Sequence, residues 1–200
     1  MDPKKVNLKI YQGATFRHKF YWYSDVEVSK TITAVTRSYP TVLTAASHGL
    51  PASDIPVAIL GVGDWLNTPS AEFDDRIYGT KIDTNTLSVK VNGIGQAAYS
   101  GSSGRLVYNE PMELAAGWTA RMHIRASIDD TDPLVTFTST DGDIVLGDDG
   151  GIEPVLTDDA TDLLDFDSAV YDLELEEDLT GETTRIAEGK VSLFRQVTHD

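Results

Sequence analysis

Short runs of strict apolar/polar alternation recur along this chain, and a period of two restricts such runs to half-buried β-strands. In Trp118–Arg125 the apolar set is Trp118, Ala120, Met122 and Ile124, while Arg121, His123 and Arg125 take the opposite side. Tyr171, Leu173 and Leu175 alternate with Asp172, Glu174 and Glu176 in the same way. Val6, Leu8 and Ile10 face away from Lys5, Asn7 and Lys9. After Gln12-Gly13, one face takes Phe16, His18, Phe20 and Trp22, and the other Arg17, Lys19, Tyr21 and Tyr23. A helix of period 3.6 would scatter each of these sets around its circumference.

Other stretches add to the same class. Strands are expected over residues 134–140, 144–146, 152–156, 185–187 and 190–197, with Val191, Leu193 and Val197 on one face. Asp141-Gly142-Asp143, Asp148-Asp149-Gly150-Gly151 and the segment 178–182 supply turns between them. One short helix is expected over 157–166, where Thr157 caps and Asp158 and Asp159 sit in the first turn, favoured by the helix dipole. The expected fold is all-β, an antiparallel β-sandwich.

Charge divides the chain. Its 200 residues carry 32 Asp+Glu against 16 Lys+Arg, a formal net charge of -16. Residues 1–29 hold 5 basic and 3 acidic side chains, residues 30–108 hold 6 of each, and residues 109–200 hold 5 and 23. The neutral middle is rich in Thr, Val, Ser, Ala and Gly, with strands expected over 32–37, 41–44, 57–60, 76–81, 87–91 and 105–108. A Gly/Ser-rich loop covers 93–104. We therefore expect an acidic sandwich from 1–29 and 109–200, with a second small β-barrel domain, 30–108, inserted into one of its hairpins. Hairpin tips tolerate insertions because little buried backbone is disturbed there.

The same composition narrows function. So acidic a surface repels phosphate backbones, which argues against nucleic acid as a partner. Cysteine is absent, which removes disulfides, cysteine zinc sites and thiol nucleophiles and fits a cytosolic folding compartment. No apolar run approaches the ~18 residues of a membrane span, and the start of the chain leads into a strand and not a signal-peptide block. No membrane partner is expected.

Three blocks in order carry a resemblance. They are Gln12-Gly13-Ala14-Thr15-Phe16 leading to Phe20-Tyr21-Trp22, the stretch from Leu114 to Arg125, and Tyr171-Asp172-Leu173-Glu174-Leu175 with Glu188-Gly189-Lys190-Val191 and a closing Val197-Thr198. Together they resemble a β-sandwich of tailed-bacteriophage virion proteins, including the N-terminal domain of baseplate upper proteins. Ala115-Ala116-Gly117-Trp118 departs from that pattern, which usually has a simpler Thr-Gly-Tyr. Within the insertion, Ile32-Thr33-Ala34-Val35-Thr36, Pro40-Thr41-Val42-Leu43-Thr44 and Ser47-His48-Gly49-Leu50 are similar to a small phage β-barrel module. That module is often labelled as like the first catalytic cysteine half-domain of ubiquitin-activating enzymes; with no cysteine here, that chemistry is excluded.

Reactive constellations are sparse. His18, His48, His123 and His199 show no chelating spacing. His18 and His123 fit strand packing or surface roles, and His48, before Gly49, fits a ring bonded to its loop. Asp141, Asp143, Asp148 and Asp149 could gather a cation, but they miss the calcium-loop spacing and Asp-Gly is an ordinary hairpin turn. The five acids between Asp158 and Asp167 read as a solvated helix face and its N-terminus. Ser100 to Gly104 is a flexible loop and not a nucleophile elbow, and no phosphate-binding glycine motif occurs. No enzyme activity, catalytic group, cofactor or metal is expected.

The resemblance implies a structural role in a virion assembled in the host cytoplasm, in tail, baseplate or collar, through symmetric contacts with copies of itself and other virion proteins. A head decoration or head-to-tail joining protein is the alternative. A host glycan-binding module is another, built on Trp65, Phe73, Tyr78 and Tyr99. Exposed aromatics anchor interfaces, so Tyr21, Tyr23 and Trp65 are interface candidates. The acidic stripe Asp172, Glu174 and Glu176 is another, unless a neighbouring basic strand neutralises it.

Overall fold

A computed structural model describes residues 3–68 and 75–197. It is all-β but for one short helix, α1 (Asp158–Asp162), only the first half of the expected 157–166. Thr157 caps it, its side chain accepting from the Ala160 N–H. The chain forms two compact units, Met1–Trp22 with Glu113–Asp200, and Tyr23–Met112.

The first unit holds a six-stranded sheet: β1 (Lys4–Lys5) and β2 (Leu8–Tyr11) beside β17 (Thr183–Phe194), then β16 (Ser168–Glu177), β12 (Trp118–Arg125) and β13 (Val135–Thr138). Tyr171, Leu173 and Leu175 point into the core with Ala120, Met122, Ile124 and Phe137. The sheet is mixed, not wholly antiparallel as expected, because β1 and β2 run parallel to β17. Their register is continuous across Val6 and Asn7, where the Asn7 side chain accepts from the Lys190 N–H. Val197, expected on one face with Val191 and Leu193, lies beyond β17 and is 95% exposed.

A four-stranded sheet adds β3 (Phe16–Arg17) and β4 (Phe20–Tyr21), both paired with β15 (Gly151–Leu156), and β14 (Ile144–Leu146). The expected single strand over 16–23 is interrupted. The positions opposite His18 and Lys19 are Pro154 and Glu153, and Pro154 has no N–H to give the ladder. Phe20 and Tyr171 meet across the core with ring centroids 6.3 Å apart.

The second unit is one antiparallel sheet of seven strands. In spatial order these are β5 (Tyr23–Thr31), β11 (Arg105–Pro111), β8 (Ile55–Leu60), β9 (Ile77–Lys81), β10 (Thr86–Val89), β7 (Thr41–Thr44) and β6 (Ala34–Val35). Residues Ile55 to Ile59 are all buried, as a central strand covered on both faces requires. One of the sheets of the chain is a half-barrel, where the sequence predicts a small β-barrel. The two ends of the seven-stranded sheet, β5 and β6, are consecutive in sequence. Only Ile32 and Thr33 separate them, so they come within ~11 Å by chain length alone. The unit also starts and ends outside the expected 30–108, because β5 and β11 pair along their length and β11 pairs with β8.

Candidate functional site

The outer face of the six-stranded sheet gathers most of the charged side chains singled out in the sequence. Antiparallel pairing sets His123 of β12 opposite Asp172 of β16 and Asp172 opposite Glu188 of β17, and the parallel pairing of β1 puts Lys5 beside Glu188. The next row on the same face is Arg121, Glu174 and Arg185. Arg121 lies 2.9 Å from Glu174, while Arg185 reaches Asp172 at 3.3 Å, Glu174 at 3.6 Å and Glu188 at 3.5 Å. The hydrogen bond from Arg121 is the main reason the Glu174 carboxyl is held below its usual range, with the Arg185 charge adding to it.

A β-bulge makes this second row possible. Between Leu173–Ala187 and Glu174–Arg185 the pairing gains one residue on β17, Ile186. Regular alternation would send Arg185 and Ala187 to the same face. With the extra residue, Ile186 and Ala187 are both buried while Arg185 emerges among the carboxylates.

The acidic stripe is thus largely paired within its own sheet. Glu176 is the exception: it is exposed, faces Thr119 and Thr183, and makes no ion pair among the described residues. A small recess of about 180 Å³ lies beside it, lined also by Thr138 and Thr140.

Towards the start of β16 the same face opens into a groove of about 380 Å³. Lys5, Arg125, Ile128, Val170 and Lys190 line it, and at its edge stand Asp172 and Glu188, both held by Arg185. Arg125 donates to the Asp130 carbonyl at 3.2 Å and to His123 Nδ1 at 3.3 Å, and its buried Nε has no hydrogen-bond partner. Burial, then the charges of Arg125 and Arg121, holds the His123 imidazole below its ordinary pKa, which suits an acceptor Nδ1. Lys5, Arg125 and Lys190 have no carboxylate partner among the described residues. Arg125 was visible in the strand alternation. Lys5 and Lys190 join it only through the pairing of β1 with β17 and of β17 with β16, and no local signal marks them.

The aromatic candidates do not converge. Tyr21 is half-buried on β4, with Lys19 Nζ 5.1 Å from its ring centroid. Tyr23, expected on the same exposed face, is only 8% exposed and opens β5 in the other unit. The alternation does not carry across the change of unit between Trp22 and Tyr23. Trp65 is half-buried in that second unit and closes over Gly93, where an added Cβ would sit 3.2 Å from its ring. Of the aromatic patch expected there, Tyr78 is exposed. The Tyr99 hydroxyl is spent on its own loop, donating to the Ile32 carbonyl and accepting from Gly104 N–H. Phe73 lies outside the described residues, as does His199.

His48 is fully buried and ties its loop together. Its Nδ1 accepts from Leu50 N–H at 3.1 Å, its Nε2 bonds the Thr86 carbonyl at 3.2 Å, and the Tyr108 hydroxyl donates to its backbone carbonyl. His18 packs edge-on to Phe20, its pKa lowered by burial and then by Lys4. The turn aspartates serve turn geometry. Asp141 accepts from Thr138, Asp148 from Ala115 N–H, and Asp149 from Lys19 and Gly151 N–H. Among the described residues no three His, Asp or Glu side chains converge as a metal site, and no helix is long and apolar enough to cross a membrane. No protein-family model matches the chain, and no curated protein matches it at a significant level.

Proposed function

We propose that this chain is a non-enzymatic structural component of a tailed bacteriophage virion, acting in a tail, baseplate or collar ring through contacts with copies of itself and with other virion proteins. The observation that carries this reading is the charged sheet face. Arg121 and Arg185 hold Asp172, Glu174 and Glu188 in fixed rows. A surface whose long side chains are already ordered loses little conformational entropy on docking, which is what a subunit interface needs. The ionisable groups of those two rows act as one another's partners. The sequence resemblance supplies the phage setting, and fold-level likeness enters here as analogy.

The test is imaging. A gold-labelled antibody against the chain should decorate intact particles at the tail, baseplate or collar. Labelling of the capsid shell would move the role to head decoration or head-to-tail joining, and unlabelled particles from a lysate rich in the chain would overturn the virion role. Binding of the full chain on a glycan array would favour host recognition instead.

A further inference from the structure

We propose that the tip of the β16–β17 hairpin of one copy seats in the Lys5, Arg125 and Lys190 groove of another, a contact between copies that builds on the assembly role above. The two surfaces are complementary in charge and in apolarity. Acids outnumber bases two to one in this chain, 32 to 16, so a carboxylate partner for any cation is easily found within it. Three cations nevertheless share one groove with no such partner among the described residues. Arg125 also carries a buried Nε without a hydrogen bond, and the lip of the groove bears Ile128, 83% exposed.

The hairpin tip has the opposite character. Leu179 stands 91% exposed between Asp178 and Glu182, neither of which is ion-paired among the described residues. The loop holds one shape. Gly181 N–H donates to the Glu177 carbonyl at 2.8 Å, Glu177 N–H to the Glu182 carbonyl at 3.0 Å, and Asp178 N–H to the Gly117 carbonyl at 3.0 Å. The Thr180 hydroxyl holds the Glu177 carboxylate at 2.6 Å. An exposed leucine on a rigid acidic tip suits a groove with an apolar lip and three cations that form no ion pair, the two carboxylates of the groove, Asp172 and Glu188, being held by Arg185.

Groove and tip lie at opposite ends of one strand. From Val170 at the groove to Glu177 at the tip, β16 spans roughly 23 Å. Two copies laid antiparallel therefore exchange tips as a reciprocal two-fold dimer, or copies pass them on in one direction to close a ring or extend a filament. A wild-type mass beyond the dimer marks the second arrangement.

A mixing experiment decides it. Sedimentation equilibrium runs at about 150 mM salt, where a Debye length of ~8 Å screens the net repulsion between acidic copies but spares pairs in contact. The wild-type chain should self-associate below about 1 mM. Leu179→Lys, and separately the double variant Lys5→Glu with Lys190→Glu, should each weaken association at least about tenfold. Both change exposed positions, and unaltered circular dichroism and melting will show that the variants fold. Because each variant keeps one of the two surfaces, their mixture should give a 1:1 heterodimer and nothing larger. A wild-type chain that stays monomeric to about 1 mM sinks the contact, and so do variants that associate like wild type. In the second case the assembly role stands and proceeds through another face; unlabelled particles in the imaging experiment would be the failure of that role itself.

Discussion

Two residues of β17 show how single positions hold the charged face in place. Gly189 has no side chain because an added Cβ would run into the Val6 carbonyl and come within 3.3 Å of the Tyr171 ring. The same Val6 carbonyl accepts from the Tyr171 hydroxyl at 2.9 Å. Gly189→Ala should therefore push the N-terminal strand off β17 and cost about 2 kcal/mol, the scale of overpacking a filled site, read as a lower urea midpoint. Arg185 is the hub of three carboxylates, yet its side chain is 44% exposed, so solvent screens each pair. Arg185→Met should cost only about 1 kcal/mol at neutral pH. Its sign with pH follows from Glu174. A carboxyl whose folded pKa is depressed stabilises the fold above its unfolded pKa and loses that contribution as pH falls through the folded value. The penalty of Arg185→Met should then shrink in acid, below about pH 4, when melting of the two proteins is compared across pH; a penalty independent of pH would assign Arg185 a packing role only.

At the scale of elements, the bulge at Ile186 separates two kinds of deletion. Removing Ile186 restores regular alternation, with Ala187 still inward and Arg185 still outward. The chain should fold with a loss of about 2 kcal/mol for the missing buried side chain. Removing His123 from β12, which pairs regularly on both sides, instead turns either Met122 or Ile124 out of the core. That variant should fail to give a cooperative melting transition. Pro154 acts in the opposite sense to the bulge. It leaves register intact on both sides but breaks one ladder into β3 and β4.

For the whole molecule, the two-unit division predicts where the chain can be cut. Tyr23 and Pro111 are paired across β5 and β11, so the ends of the inserted unit lie about 5 Å apart. Replacing residues 24–110 by a two-residue Asn-Gly turn should leave a soluble chain that melts cooperatively. Replacing only 30–108 leaves residues 23–29 and 109–111 as a two-stranded stub without β8 and the rest of their sheet, and should give a less stable, aggregating product on size-exclusion chromatography. If the first replacement does not fold, the division is wrong.

Sequence alone determined what neighbours along the chain can decide. Period-two alternation set the all-β class and the inward and outward faces of β12 and β16, and Gly and Asp turns set the limits of β14, because strand faces and turns are local properties. Charge per segment pointed to an inserted neutral region. The tertiary structure decided what depends on partners distant in sequence: the parallel docking of β1 and β2, the half-barrel, the bulge, the burial of Tyr23 and the exposure of Val197. It also gathered Lys5, Arg125 and Lys190 into one groove. Which strands lie side by side is chosen by the packing of the whole core, and no window of residues contains that information.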